Sequence, residues 1–269
     1  MQNPNEIIPG VIFYSYLSTV RKDKVGFLGH NTLVMQVAGH FTLETANEKI
    51  TMTSGELLLI RKNQLGTITK TPLPGQDYQT FVLILQDNVL RKIAHEEKID
   101  STQKYHGPPN LLIPNDDFIK AFFQSIVPYI NASDKITAEM GEGKVREAVR
   151  LLLRSNPRLA TFLFDFSEPH KIDLEKFMLS NYHFNMSVEK FAQLTGRSLA
   201  AFKRDFKTIF GTSPRQWLQE TRLNQARQLI ERKKAKPSTF YLDLGFETLS
   251  HFSHSFKKKF GIAPSELLV

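Results

Sequence analysis

Apolar and polar positions alternate in short runs through the first third of the chain, and Gly, Asn, Pro and Asp close the runs. The segments 11–20, 32–44, 49–52, 56–61, 66–70 and 79–86 are rich in β-branched residues, Leu and aromatics. Each therefore reads as a strand. Short strands at that spacing predict a sandwich or barrel. From residue 116 the period lengthens. Asp116 to Tyr129 sets Phe118, Ala121, Phe122, Ser125 and Ile126 on one helical face, and Glu142 to Arg154 does the same with Val145, Val149, Leu152 and Leu153. Asn115 or Asp116 can cap the first run. Pro157 ends the second, so Leu159 to Phe166 reads as a separate helix. Ser167-Glu168-Pro169 breaks the pattern and marks a domain boundary.

Beyond that break the helical period holds to the end. Leu174 to Tyr182 predicts one helix and Ser187 to Leu194 a second, with Ser187 as its cap and Lys190 where a capping box wants Glu or Gln. Ser198 caps a third, Leu199 to Phe210. Pro214 opens a long helix, Arg215 to about Arg232, with Trp217, Leu218, Leu223, Ala226 and Leu229 as its core stripe. Two further helices are expected over Ser238 to Leu244 and Thr248 to Phe260. One phrase occurs twice in this region: FKTIFGTSP from Phe206 and FKKKFGIAP from Phe256, an offset that suits a repeated supersecondary unit. Before each copy a Gly, Gly196 or Gly245, is placed to turn the chain between two short helices. That is the layout of two helix-turn-helix units, whose second helices would enter the DNA major groove.

At these residues the sequence resembles the AraC family of bacterial transcription regulators. The stretch GFETLSHFSHSFKKKFGIAPSEL, from Gly245 to Leu267, is similar to that family's signature of Gly-Phe, a Ser-aromatic pair, Phe-Lys-Lys and Gly-x-x-Pro. The resemblance implies a C-terminal all-α domain of two helix-turn-helix units bridged by one long helix. It implies a cupin-like β-barrel at the N-terminus, where VMQVAGHFTLE and MTSGELLLIRKN have a similar shape. The expected class is α+β, with a cupin-like sensing domain at 1–112, a helical linker at 113–168 and the DNA-binding domain at 169–269. It further implies double-stranded DNA and RNA polymerase as partners, an activator controlled by an effector, and a homodimer formed through the linker helices, the alternative being that those helices simply pack on the barrel.

Charge supports the division independently. From Lys171 onward there are seventeen Lys and Arg against nine Asp and Glu, and before it eighteen of each, so the whole net charge of +8 belongs to the last segment. A basic segment behind a neutral one suits phosphate neutralisation by one part only. The basic run of Arg232, Lys233, Lys234 and Lys236 reads equally well as a solvated surface. There are no cysteines, which excludes disulfides, cysteine-ligated zinc and thiol catalysis and fits a reducing cytoplasm. MQNPNEIIPG has no basic segment followed by an apolar core, and runs such as Leu57 to Ile60 are too short to span a bilayer. A soluble, cytoplasmic protein without membrane contact is expected.

In the first recognition helix Phe202, Phe206 and Phe210 repeat every four residues and face the core, which turns Ala200, Ala201, Lys203, Arg204 and Lys207 outward. Arg204 is the first choice for a base contact, because its planar fork matches guanine O6 and N7. The family resemblance places a DNA-contacting Arg there too. The bland alternative is an ion pair with Asp205 or Glu220. Lys203 suits a base or a phosphate, Lys207 and Ser198 a phosphate. In the second helix Phe252, Phe256 and Phe260 are the buried stripe, leaving Leu249, Ser250, Ser253, His254 and Lys257 for DNA. His254 stands where the family commonly has Arg and offers one donor in place of a fork, so weaker discrimination is expected there. Lys258 and Lys259 are expected on phosphates with Lys257. Tyr241 is large where the family has a small residue, which bears on how that unit's first helix packs.

An enzymatic alternative is a metal-dependent cupin fused to a DNA-binding domain. It needs three or four converging His and carboxylate ligands. His30 and His40 lie in the right region, but His30-Asn31-Thr32 is no His-x-His pair and LIRKNQLGTITK carries no later His. No metal, cofactor or catalytic residue is expected, nor does a phosphate loop or nucleophile elbow appear. The effector can be a small molecule or a protein, since Phe13, Leu33, Met35 and Phe81 read as core or as pocket lining.

Overall fold

In the computed structural model the described residues are 5–25, 28–131, 137–167 and 171–268. The chain divides into two compact units, Met1–Ser167 and Glu168–Val269. Glu168 and Pro169 of the expected break lie outside the described residues.

The first unit contains two antiparallel sheets. Strands β1 (Asn5–Ile8), β2 (Ile12–Leu17), β4 (Asn31–Ala38), β7 (Leu57–Ile60), β9 (Tyr78–Leu85) and β10 (Asn110–Ile113) make a six-stranded sheet in the order β1-β2-β9-β4-β7-β10. Strands β3 (Arg21–Val25), β5 (His40–Glu44), β6 (Lys49–Met52) and β8 (Gly66–Thr71) make a four-stranded one in the order β3-β8-β5-β6. Among the described residues no pairing closes the sheets into one barrel; they are two separate sheets. The single strand expected over 32–44 is broken at Gly39, whose φ of +81° leaves β-space and whose missing Cβ avoids the Thr71 carbonyl, 2.6 Å from where it would stand.

Side chains in the larger sheet sort by the period of two. Val34, Leu58, Ile60 and Tyr78 face Phe41, Leu43 and Met52 of the smaller sheet, forming a sandwich core. Leu33, Leu57, Leu59, Phe81, Leu83 and Leu85 point the other way, into a second core shared with helices. Leu33 and Phe81 are thus core under the helical layer, with Met35 packed at its edge, and Phe13 is half-buried. The helical layer comprises α1 (Asp87–Glu96), α2 (Asp117–Gln124), α3 (Ala138–Ser155) and α4 (Leu159–Leu163). Residues Val145, Val149 and Leu152 of α3 and Phe162 of α4 join the same core. The helices expected as a linker are accordingly one face of the first unit.

Local chemistry sets the helix limits. Asp116 caps α2, accepting from the Ile119 N–H at 2.9 Å. Pro128 follows in a 3₁₀ turn, Val127–Asn131, so the run to Tyr129 is not one helix. Phe118 does not join the apolar face: it is 61% exposed, and the Arg154 guanidinium lies 3.9 Å from its ring centre. Near the end of α4, Asp165 accepts from Arg61, the Ser167 hydroxyl and the Tyr105 N–H. Burial opposes its ionisation, but the bonds from Ser167 and Tyr105 and the Arg61 charge outweigh that and hold its carboxyl down at about 2.

The second unit is helical: α5 (Leu174–Asn181), α6 (Val188–Leu194), α7 (Leu199–Phe210), α8 (Pro214–Lys233) and α9 (Leu249–Phe260). It has two cores strung on α8. Leu218 belongs to the first with Leu174, Met178, Phe191, Phe202 and Phe206. Leu223, Ala226 and Ile230 belong to the second with Phe240, Leu244, Phe252 and Phe256. The helix expected over Ser238 to Leu244 is instead a 3₁₀ turn, Pro237–Thr239, followed by further turns to Gly245. Only scattered four-residue bonds form there, Tyr241 N–H to Pro237 and Leu244 N–H to Phe240, both at 3.1 Å. Tyr241 is half-buried against the second core.

Candidate nucleic-acid interface

Each helix-turn-helix unit is held by bonds the sequence specifies. In the first, Ser187 caps α6 and Ser198 caps α7, accepting from the Ala201 N–H at 3.3 Å. The turn between them is fixed by buried Thr195, whose hydroxyl donates to the carbonyls of Phe191 and Ala192 at 3.0 and 2.9 Å. In the second, Gly245 makes the turn with φ of +82°, and Thr248 caps α9, accepting from the His251 N–H at 3.1 Å. Helices α7 and α9 end alike, at Gly211 and Gly261, both left-handed.

The every-fourth-residue Phe rows fix which faces look outward. Phe202, Phe206, Phe252 and Phe256 are fully buried, while Phe210 and Phe260 lie half-buried at the helix ends. On α7 and its cap, Ser198, Ala200, Lys203, Arg204 and Lys207 are exposed. On α9, Leu249, Ser250, His254 and Lys257 are exposed and Ser253 is half-buried. Every residue singled out for DNA on these two helices thus reaches the surface. Lys259 turns away: its Nζ donates to the Glu220 carbonyl of α8 at 3.3 Å.

Arg204 lies 3.3 Å from Asp205 with a side chain 74% exposed. Asp205 is also bonded to Arg197 at 3.1 Å and to Lys171 at 3.2 Å. The Arg197 hydrogen bond and then the Lys171 one hold its carboxyl below the usual carboxylate range. Arg197, which the sequence reading did not single out, is a structural residue: it is nearly buried and donates to the carbonyls of Thr195 and Ile172 at 2.8 and 2.9 Å. Lys203 and Lys207 also line an open cleft of about 710 Å³ with Arg215 and the capped start of α8, where Ser213 accepts from the Gln216 N–H. A cationic cleft at a helix N-terminus attracts phosphate.

Arg222 is the second residue the sequence reading missed. It lies in the middle of α8 with its side chain half-buried, and that burial pushes its guanidinium down to about 10, so it stays cationic at physiological pH. Its signal was present: Leu218, Arg222, Ala226 and Ile230 form one four-residue row on the buried side of α8.

His30 sits beside Asp87 at 3.6 Å and His40 pairs with Thr71 in the smaller sheet. Among the described residues no three His, Asp or Glu side chains gather as metal ligands would, and no helix is long and apolar enough to cross a membrane.

Two capped helices with exposed polar and cationic faces, each behind its own turn and both packed on one long helix, define a double helix-turn-helix DNA-binding unit. A family model described as a helix-turn-helix domain matches residues 191–268, and one described as the ExsA N-terminal regulatory domain matches residues 31–162. Similar proteins include the thermoregulatory protein LcrF of Yersinia pestis, 26% identical over 245 residues that cover 87% of each chain. Another is the HTH-type transcriptional regulator ExsA of Pseudomonas aeruginosa, 25% identical over 84% of this chain and 82% of its own. A crystal structure of apo ToxT from Vibrio cholerae aligns with 97% of this chain and 98% of its own at 16% identity and a TM-score of 0.49. The chain is a DNA-binding transcription regulator with an N-terminal regulatory domain. It carries a helix-turn-helix domain of the AraC type behind an ExsA-type N-terminal regulatory domain, and the proteins it is similar to are AraC-family regulators.

Proposed function

We propose that α7 and α9 enter neighbouring major grooves on one side of duplex DNA and read its sequence, with residues 169–269 sufficient for binding. The observation that carries this reading is the presence of two outward polar and cationic helix faces on one scaffold. At 1.5 Å per residue the 20 residues of α8 span about 30 Å, close to the roughly 34 Å groove repeat. Arg204 reads guanine, Ala200 and Leu249 meet base edges, and Ser250, Ser253 and His254 make the second set of contacts. Lys203 reads a base or phosphate; Ser198, Lys207 and Lys257 hold phosphates.

The first unit, in this reading, senses an effector, pairs two copies and leaves base reading to the second. Its neutral charge supports that division. Its two face-to-face sheets suit a cupin-like sensing domain. The protein works in the cytoplasm as an activator that engages RNA polymerase and catalyses no reaction; similar proteins carry regulator and activator names. Selection of sites from a random duplex pool by the full-length protein tests the core of the proposal. Recovery of two separated sequence blocks supports it, and recovery of no sequence preference ends it.

A further inference from the structure

Resting on the two-groove reading above, we infer that Arg222 is a positioning residue that fixes the spacing at which the two reading helices meet DNA. The inference starts from where the residue stands. Along α8, Leu218 packs into the first core and Leu223 into the second, so Arg222 sits at the changeover. Its guanidinium uses all three nitrogens. Nε donates to the Tyr182 carbonyl and Nη2 to the Phe184 carbonyl, each at 2.8 Å, both in the turn that follows α5 in the first half. Nη1 donates to the Gly245 carbonyl at 3.1 Å, in the turn of the second half.

A planar fork gripping three carbonyls from two halves restricts their relative rotation as well as their distance. The fit is close from both sides. A Cβ on Gly245 would stand 2.9 Å from Arg222 Cζ and 2.7 Å from the His183 carbonyl, so the second turn lies directly against the first half. One further bond crosses at the same place: Asn185 Nδ2 donates to Glu247 Oε1 at 3.1 Å. The rows of Phe behind α7 and α9 fix each helix within its own half. Arg222 and Asn185–Glu247 then fix one half against the other. A hydrophobic residue at position 222 would fill the same volume without that angular constraint, and a Lys would bring a point charge with freely turning donors.

The test uses full-length protein and the best duplex recovered from a random pool, resynthesised with one base pair inserted or removed between its two blocks. Each change turns the blocks by about 36° and moves them by about 3.4 Å relative to each other. Wild-type protein is expected to lose at least about tenfold in affinity on both altered duplexes. Arg222→Lys is expected to bind the original duplex more weakly and to lose no more than about threefold on the altered ones. If Arg222→Lys weakens all three duplexes equally, the residue stabilises the fold only and the inference is overturned. Should that variant fail to fold, Asn185→Ala decides: it removes a surface bond of the same junction and is expected to flatten the spacing profile in the same direction, and an unchanged profile overturns the inference. A wild-type protein that binds well yet has no preferred spacing sinks the two-groove reading, and this inference with it.

Discussion

The Nη1 of Arg222 reaches the carbonyl of Gly245 across 23 residues of sequence, and Gly245 alone among residues leaves room for it. Two requirements meet at that glycine. Its φ of +82° is a conformation L residues rarely adopt, and a side chain would run into both the arginine and the His183 carbonyl.

Gly245→Ala is therefore expected to destabilise the second half of the DNA-binding unit by about 1–3 kcal/mol from backbone strain alone. Hydrogen exchange checks it. Amides of α9 should exchange faster in the variant while those of α7 change little.

Arg204→Ala should cost roughly 1–3 kcal/mol of binding and relax preference at one base pair. Lys207→Ala should weaken all sequences alike and lower the slope of log affinity against log salt by about one. Titrations of selected and scrambled duplexes at several salt concentrations separate the two. An Arg204→Ala protein with unaltered preference would mean that its place beside Asp205 is its whole role.

His254→Arg should sharpen the weaker half of the site, because a guanidinium restores two donors where an imidazole offers one. Repeating the random-pool selection with the variant is sufficient. The block read by α9 should gain sequence information and the block read by α7 should not change.

The first unit should lose stability in acid through Asp165. Its folded carboxyl titrates at about 2, below the usual carboxylate value, so the ionised form favours the folded state. That contribution is complete above the usual value and disappears as pH falls through it toward about 2. Urea midpoints followed by circular dichroism should drop over that window, and Asp165→Asn should flatten the drop.

The DNA-binding half was legible in the sequence because its signals are local. Ser187, Ser198 and Pro214 announce helix starts, and the Phe rows announce which faces are buried. What failed to show had long-range causes. Strand β3 reads RKDKV and has no apolar pattern; it exists by pairing with β8. Strand β10 is four residues paired to β7 across an interval of fifty, which no window of sequence sees. Helix α1 is the exception, since Val89, Leu90, Ile93 and Ala94 keep the helical period over Asp87–Glu96 and that local signal was readable. Phe118 was misplaced because periodicity assigns a face without knowing that Arg154 will cover it from the solvent side. At the interface, outward residues were readable from the stripe, whereas Arg197 and Arg222 act on carbonyls distant in sequence.

The packing of α8 also decides what can be seen of this protein in solution. Its one tryptophan, Trp217, stands at the head of that helix with the rings of Phe210, Phe206 and Tyr182 at 4.6, 5.6 and 6.5 Å, all from the first half. Indole fluorescence is thus a private signal of that half. The second half, built on phenylalanine, is nearly dark. Helix content also reports α1 to α4, so a melt recorded through Trp217 and one recorded through helix content will coincide only if both halves and the first unit unfold together, and the chain carries a built-in gauge of its own cooperativity.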